Sequence, residues 1–500
     1  MGSVEMCLYQ RALAGCGIVA AAGLVFSPAS AASAQAATAT KTSLTASATS
    51  VTQDAWVTFR ARVTSATGSP AGSVTFSDAS NGSILGTSKL VSGTATLTTA
   101  ALAAGTRQMV ARYGGSTSFA ASSSAALAIS VARAGSDAVT YQIDPAHDGS
   151  QARGAPRAST LARKWKVTLG GTGGSLAGAG DVSYPVIAGG RVFVTVENTQ
   201  TYGTHLYALK ASTGAKDWSV GLAGTYGFSA LAYNGRAVFA LNYDGLLTAF
   251  SAGTGHELWA AQMPDQWSFT APPTAYDGVV YVSGAGYGGY VYAVSEADGR
   301  VRWEGTVANG DKSSPAVDDT GAYVSYAGQQ DYRFSLSGKL VWHHTTCCEG
   351  GGGSTAVLHG SHLYARGAHD TPVILAKSAG APSGTFASQT APAFDSKNMY
   401  TLDNGHLVAV DLSGSPDRWS FGNGTLVTAP VVAGGAVYAG SSTGRVYAVS
   451  ATTGKQIWTG VAGSVIDGPD EQNADVLVGM AVGGGLLVVP AGNVLAAFGG

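Results

Sequence analysis

The sequence predicts an all-β chain: a small antiparallel β-sandwich followed by an eight-bladed β-propeller. Three observations carry this reading. First, seven of the nine tryptophans recur at one position of a repeating unit, which runs from Tyr207 to Trp218 in one copy and from Tyr447 to Trp458 in another. Trp218 and Trp458 lie 240 residues and six units apart, about 40 residues per unit, and a period of that size built of short strands belongs to propellers. Second, a further hairpin precedes each unit, as in Ser314-Pro315-Ala316-Val317, a turn at Asp318 to Gly321, then Ala322-Tyr323-Val324. Third, the array begins and ends on unmatched strands that complete each other.

The elements follow in order. Arg11, an apolar run from Ala12 to Phe26 and small-residue sites at Ala29-Ser30-Ala31, Ala32-Ser33-Ala34 and Ala34-Gln35-Ala36 read as a secretory signal peptide over residues 1–36. The box Leu13-Ala14-Gly15-Cys16 comes before the apolar core, the wrong order for a lipid-modified cysteine. No other segment approaches the ~20 apolar residues needed to span a bilayer, so the expected mature chain is soluble, without a transmembrane segment, and secreted or associated with the cell wall. Residues 37–131 are rich in Ser, Thr and Ala, with alternating strands expected at Ala55 to Val63, Ser73 to Phe76, Gly93 to Thr98, Arg107 to Tyr113 and Ala125 to Val131. That pattern argues for the sandwich, and residues 132–140 read as a linker.

From residue 141 to 500 each unit is four strands, A to D from the axis outward. In the unit around Tyr292, Val291-Tyr292-Ala293-Val294 forms a strand, Ala-Asp-Gly turns, and the next strand carries Trp303. Third strands fall at Tyr207, Thr248, Tyr292, Tyr332, Leu375, Leu407, Tyr447 and Leu495, one copy being degenerate around Ala376 and Gly384. The last third strand, Val494 to Phe498, meets the C-terminus, while Leu161 to Trp165 opens the array unmatched. Pairing the two closes the ring and removes an exposed edge. Trp165, Trp218, Trp259, Trp303, Trp342, Trp419 and Trp458 are then expected to dock between neighbouring blades.

Two resemblances accompany these residues. Gly72-Ser73-Val74-Thr75-Phe76, Gly93 to Leu97 and Ala111-Arg112-Tyr113-Gly114-Gly115 resemble the bacterial immunoglobulin-like repeat of surface and secreted proteins, which implies a spacer or adhesion module. The Ala-x-x-x-x-x-Gly-x-x-x-Trp segments, with a lead-in at Tyr141 to Gly149, resemble the pyrroloquinoline quinone (PQQ) type propeller. That superfamily holds quinone-dependent alcohol and sugar dehydrogenases, an outer-membrane assembly lipoprotein without cofactor, and secreted proteins of no known activity. Membership alone therefore leaves the reaction open.

Charged residues make up 12% of the chain and the formal net charge is −2, which provides no electrostatic footprint for nucleic acid or an anionic membrane. The sharpest local feature is Cys347-Cys348, expected in the loop between blades four and five and followed by Glu349 and four glycines. These are the cysteines left after signal removal; they pair with each other, pair between chains, bind metal or stay free. A bond between neighbours would close a strained, easily reduced ring. Quinone-dependent alcohol dehydrogenases carry such a pair against the cofactor, which implies PQQ with calcium, but theirs lies in an early blade and no match to their calcium-binding Glu, Asn and Asp is found. His343-His344 with the cysteines offers a metal reading, although neighbouring strand residues point to opposite faces. The loop Asp467 to Asp475 lacks calcium-loop spacing and reads as a solvated acidic loop.

Trp267 and Tyr226 occupy the loops before blades three and two, where aromatic faces suit stacking on a ligand; packing between blades is the bland alternative. The reading that follows is a secreted or cell-surface, non-enzymatic binding or scaffold protein, without cofactor. A glycan, envelope component or protein would dock on the axial face bearing Cys347, Cys348, Glu349, Trp267 and Tyr226. The competing class is a PQQ-dependent alcohol or sugar dehydrogenase.

Overall fold

Alternation along Val57–Ser65 fixes the N-terminal unit. Val57, Phe59, Ala61 and Val63 are buried while Arg60, Arg62 and Thr64 face water, as a strand with one packed face requires. In the computed structural model, which describes residues 37–52, 57–80, 82–99, 102, 105–132, 137–169, 180–197, 202–286, 288–308, 313–345, 353–367, 371–414, 418–471 and 475–500, this strand lies between Thr40–Ala46 and Thr94–Thr99. A second sheet contains Ser73–Asp78, Ser83–Lys89, Gly105–Tyr113 and Leu127–Ala132, with Ser50–Thr52 added in parallel. Phe59 from one sheet and Phe76, Met109, Tyr113 and Ile129 from the other share one core.

Among the described residues, the rest of the chain forms eight sheets. Blades 1 to 7 span residues 186–222, 229–262, 266–307, 316–345, 357–385, 393–421 and 431–461; blade 8 combines 481–499 with Ala162–Thr168. Second strands such as Ala237–Asn242 are buried at every residue because a neighbouring blade covers each face. Outer strands such as Lys216–Leu222 alternate between exposed and half-buried. Blade 8 closes the ring through an antiparallel ladder from Ala162↔Gly499 to Thr168↔Val494, with a bulge between Arg163 and Trp165.

One contact joins consecutive blades. The indole N–H of Trp165, Trp218, Trp259, Trp303, Trp342 and Trp419 donates to a carbonyl in the C–D turn of the following blade (Ala211, Ala252, Glu296, Leu336, Lys377 and Ala451) at 2.7–3.1 Å. Each ring covers the glycine of that turn: a β-carbon at Gly214, Gly255, Gly299, Gly338, Gly380 or Gly454 would lie 2.6–2.7 Å from it. These glycines also have positive φ, so no other residue satisfies both the turn and the close approach. Trp458 meets Phe498 instead, with ring centroids 5.1 Å apart, because blade 8 takes its outer strand from Ala162–Thr168 and has no C–D turn. In blade 5 the turn glycine is Gly380; Gly384 stands opposite Ile374, in the register of the tryptophans.

The lead-in makes a circuit of the ring. Ala138 pairs with Ile187 of blade 1, the Val139 carbonyl accepts from Tyr233 N–H of blade 2, and the Thr140 hydroxyl donates to the Pro273 carbonyl of blade 3. The carbonyls of Pro145, Ala146, Asp148 and Gly149 then accept the N–H groups of Val317, Leu358, Phe394 and Val432 in blades 4 to 7. Gln151 Nε2 completes the turn on the Val482 carbonyl of blade 8 at 3.1 Å. The innermost strands would otherwise present unpaired donors toward the axis, and the lead-in supplies their acceptors.

Candidate functional site

Strand A of each blade starts, and strand B ends, on the same side of the ring, so the inter-blade loops and the B–C turns crowd one face. On blades 1 to 3 that face is aromatic. Tyr226 is 46% exposed, Trp267 51% and Tyr202 67%. Tyr226 meets Tyr243 edge-on, ring centroids 4.5 Å apart at 64°. Backbone bonds tie the loops together: Gly203 N–H donates to the Tyr226 carbonyl at 3.3 Å and Phe269 N–H to the Tyr243 carbonyl at 2.9 Å. Phe269 is wholly buried two residues beyond Trp267 and anchors its strand, Gln266–Ser268, on Ala285 and Gly286. Tyr226 and Trp267 therefore stand on one aromatic surface. Tyr202 and Tyr243 belong to it too, and sequence reading missed them because they sit in B–C turns outside the repeat consensus.

Toward blades 5 and 8 the same face is charged and buried. Arg366, just after strand His362–Ala365, places Nη2 2.9 and 3.1 Å from the two carboxylate oxygens of Glu471. Thr355 N–H also donates to Glu471, and Arg366 Nη1 donates to the Gln389 carbonyl at 3.3 Å. Both side chains are under one-tenth exposed. The expectation of a solvated acidic loop thus fails at Glu471: a buried guanidinium across the ring draws it inward, since a lone buried charge on either side would be costly. A second group sits between blades 8 and 1. Burial first, then the charges of Asp467 and Asp475, raise Asp181 to about 6. Burial, then Asp475 and Asp181, raises Glu197 to about 7.

Cys347, Cys348 and Glu349 lie outside the described residues, as do residues 1–36, where the sequence suggested a signal peptide. Of the flanking histidines, His343 stacks on Tyr332 with centroids 4.2 Å apart and holds Gln330 Oε1 at 2.7 Å from Nε2. Among the described residues no cluster of three or more His, Cys, Asp or Glu is arranged to hold a metal ion. A quinone with its calcium needs free carboxylate donors beside the ring. Glu471 is already engaged by Arg366 and Thr355 and is not free to serve as such a donor.

Comparison with known proteins places the fold. The family described as outer membrane protein assembly factor BamB, a PQQ-type repeat, matches residues 157–331, 249–420 and 332–498, more than half of the chain. The chain belongs to this family. Residues 44–132 match the bacterial Ig-like domain (group 3). The outer membrane protein assembly factor BamB of Yersinia pestis is 25% identical over 312 residues, covering 58% of this chain and 71% of that protein. BamB from Moraxella catarrhalis superposes with TM-score 0.51 at 14% identity, over 68% of this chain and all of that one. The quinohemoprotein alcohol dehydrogenase of Comamonas testosteroni gives TM-score 0.56 at 14% identity, over 73% of this chain and 80% of that one. At such identities the solved structures share the fold alone. No helix among the described residues is long and apolar enough to cross a membrane.

Proposed function

We propose that this chain is a non-enzymatic binding or scaffold protein, secreted or held at the cell surface. Its inter-blade-loop face takes a glycan, another envelope component or a protein. The observation that carries the reading is the aromatic surface of exposed Tyr202, Tyr226 and Trp267 with half-buried Tyr243, held by backbone bonds between three consecutive blades. Exposed, pre-positioned rings recognise sugars and polypeptides at low entropic cost. The assembly-factor name carried by relatives supports a scaffold role, and the Ig-like module fits a spacer.

The competing quinone-dependent dehydrogenase rests on Cys347-Cys348 and the shared fold. Two measurements separate the readings. Titration with PQQ and calcium is expected to show no saturable binding; binding that disappears in Cys347→Ser/Cys348→Ser would replace the scaffold reading with a dehydrogenase. Cosedimentation with purified cell-wall glycan and with envelope protein fractions is expected to drop at least about tenfold in Tyr226→Ala/Trp267→Ala, the loss typical of aromatic anchors. Unchanged cosedimentation would remove the aromatic face from the account.

A further inference from the structure

Blade 5 departs from its neighbours at one residue. Its C–D ladder pairs Ile374 with Gly384, where other blades pair Ala208 with Trp218, Ala249 with Trp259 and Ala293 with Trp303. Glycine thus replaces the docking indole. The receiving half of the joint persists in blade 6. Gly414 keeps the positive φ of the docking glycines, yet a β-carbon there would meet nothing within 4 Å among the described residues. Gly414 N–H donates to the Asp411 carbonyl at 3.1 Å, as Gly338 N–H does to the Ser335 carbonyl at 2.9 Å, so the two turns share one form. In the blade 4 turn the Leu336 carbonyl accepts the Trp303 N–H at 3.0 Å. The same position in blade 6 belongs to Leu412.

Between the blades lies a cavity of about 680 Å3, within the range of small-molecule sites. Tyr364, Ile374 and Phe386 line it from blade 5, Met399, Val410 and Gly414 from blade 6. Tyr364 and Phe386 are packed edge to face, with centroids 5.6 Å apart, and give the blade 5 wall a defined shape.

We propose that this cleft binds a small indole-bearing molecule, its ring lying on the Gly414 turn and its N–H donating to the Leu412 carbonyl. The class of ligand is read from the chain itself. Six other inter-blade joints present the same turn glycine and carbonyl, and each is filled by an indole. The site requires no metal and is separate from the inter-blade-loop face, so its test is independent of the function proposed above.

The test is calorimetric titration of the intact mature protein with indole and with 1-methylindole, which lacks the donor. Indole is expected to saturate one site with Kd below about 1 mM, well within the binding energy available to so small a ligand. 1-Methylindole should bind roughly threefold or more weaker, the loss expected for one hydrogen bond. Gly384→Trp supplies the missing ring from within; the built β-carbon has only Ile374 Cδ1 near it, at 3.5 Å. This variant should raise Tm and weaken indole binding at least tenfold. Absence of saturation at several millimolar overturns the proposal, as does undiminished binding in Gly384→Trp. Should that variant fail to fold, the two ligands on the unaltered protein still decide: equal affinities place indole elsewhere than against Leu412.

Discussion

Glu197 ends strand B of blade 1, and its surroundings oppose its charge. Its Oε2 has no hydrogen-bond partner among the described residues, and its pKa is pushed up to about 7 by burial and by the carboxylates of Asp475 and Asp181. A carboxyl whose pKa is raised on folding favours the folded state at low pH, and this contribution is lost as pH climbs from the ordinary carboxylate range to about 7. Glu197→Gln removes the dependence. Thermal unfolding of variant and wild type should coincide near pH 5, and the variant should lead by about 2 °C or more at pH 8. A pH-independent offset would mean that packing, not ionisation, governs this position. Single residues were also where the sequence spoke least clearly. Nothing near Glu471 distinguishes it from its acidic neighbours, because the Arg366 that claims it lies 105 positions away.

At the scale of elements, strands read well and their partners less so. Each third strand falls where the spacing of Tyr207, Thr248, Tyr292 and their equivalents put it, because a strand packed on both faces leaves a plain apolar run bounded by turns. The lead-in left no such trace beyond its resemblance, since most of its bonds are made by backbone groups to strands spread around the ring. Its side-chain anchor is His147. The imidazole is wholly buried, with Nδ1 donating to the Tyr141 carbonyl at 2.7 Å and Nε2 3.0 Å from the hydroxyls of Thr274 and Ser314. His147→Ala empties that space and takes a partner from the Thr274 hydroxyl, while Ser314 keeps the Pro272 carbonyl at 2.8 Å; the change should cost about 3 kcal/mol. Chemical denaturation would register it as a lower midpoint at unchanged slope; an unmoved midpoint would show that the circuit is held by backbone bonds alone.

At the scale of the molecule, the two parts have separate cores. The sandwich core runs from Val57 to Val131, and every other hydrophobic cluster draws on residues from Ala138 onward. A chain starting at Ser136 should therefore remain soluble and melt at the propeller transition of the full protein; insolubility would reveal a dependence between the two. The ring itself has a different dependence, one of birth order. Ala162–Thr168 leaves the ribosome more than three hundred residues before Val494–Gly499, the strand it pairs with. Closing so long a loop is slow, and throughout that interval the nascent blades form an open arc with a bare edge. Residues 494–499 act as a latch, and a nick or frameshift that removes them should be felt around the whole circumference as a ring that never shuts.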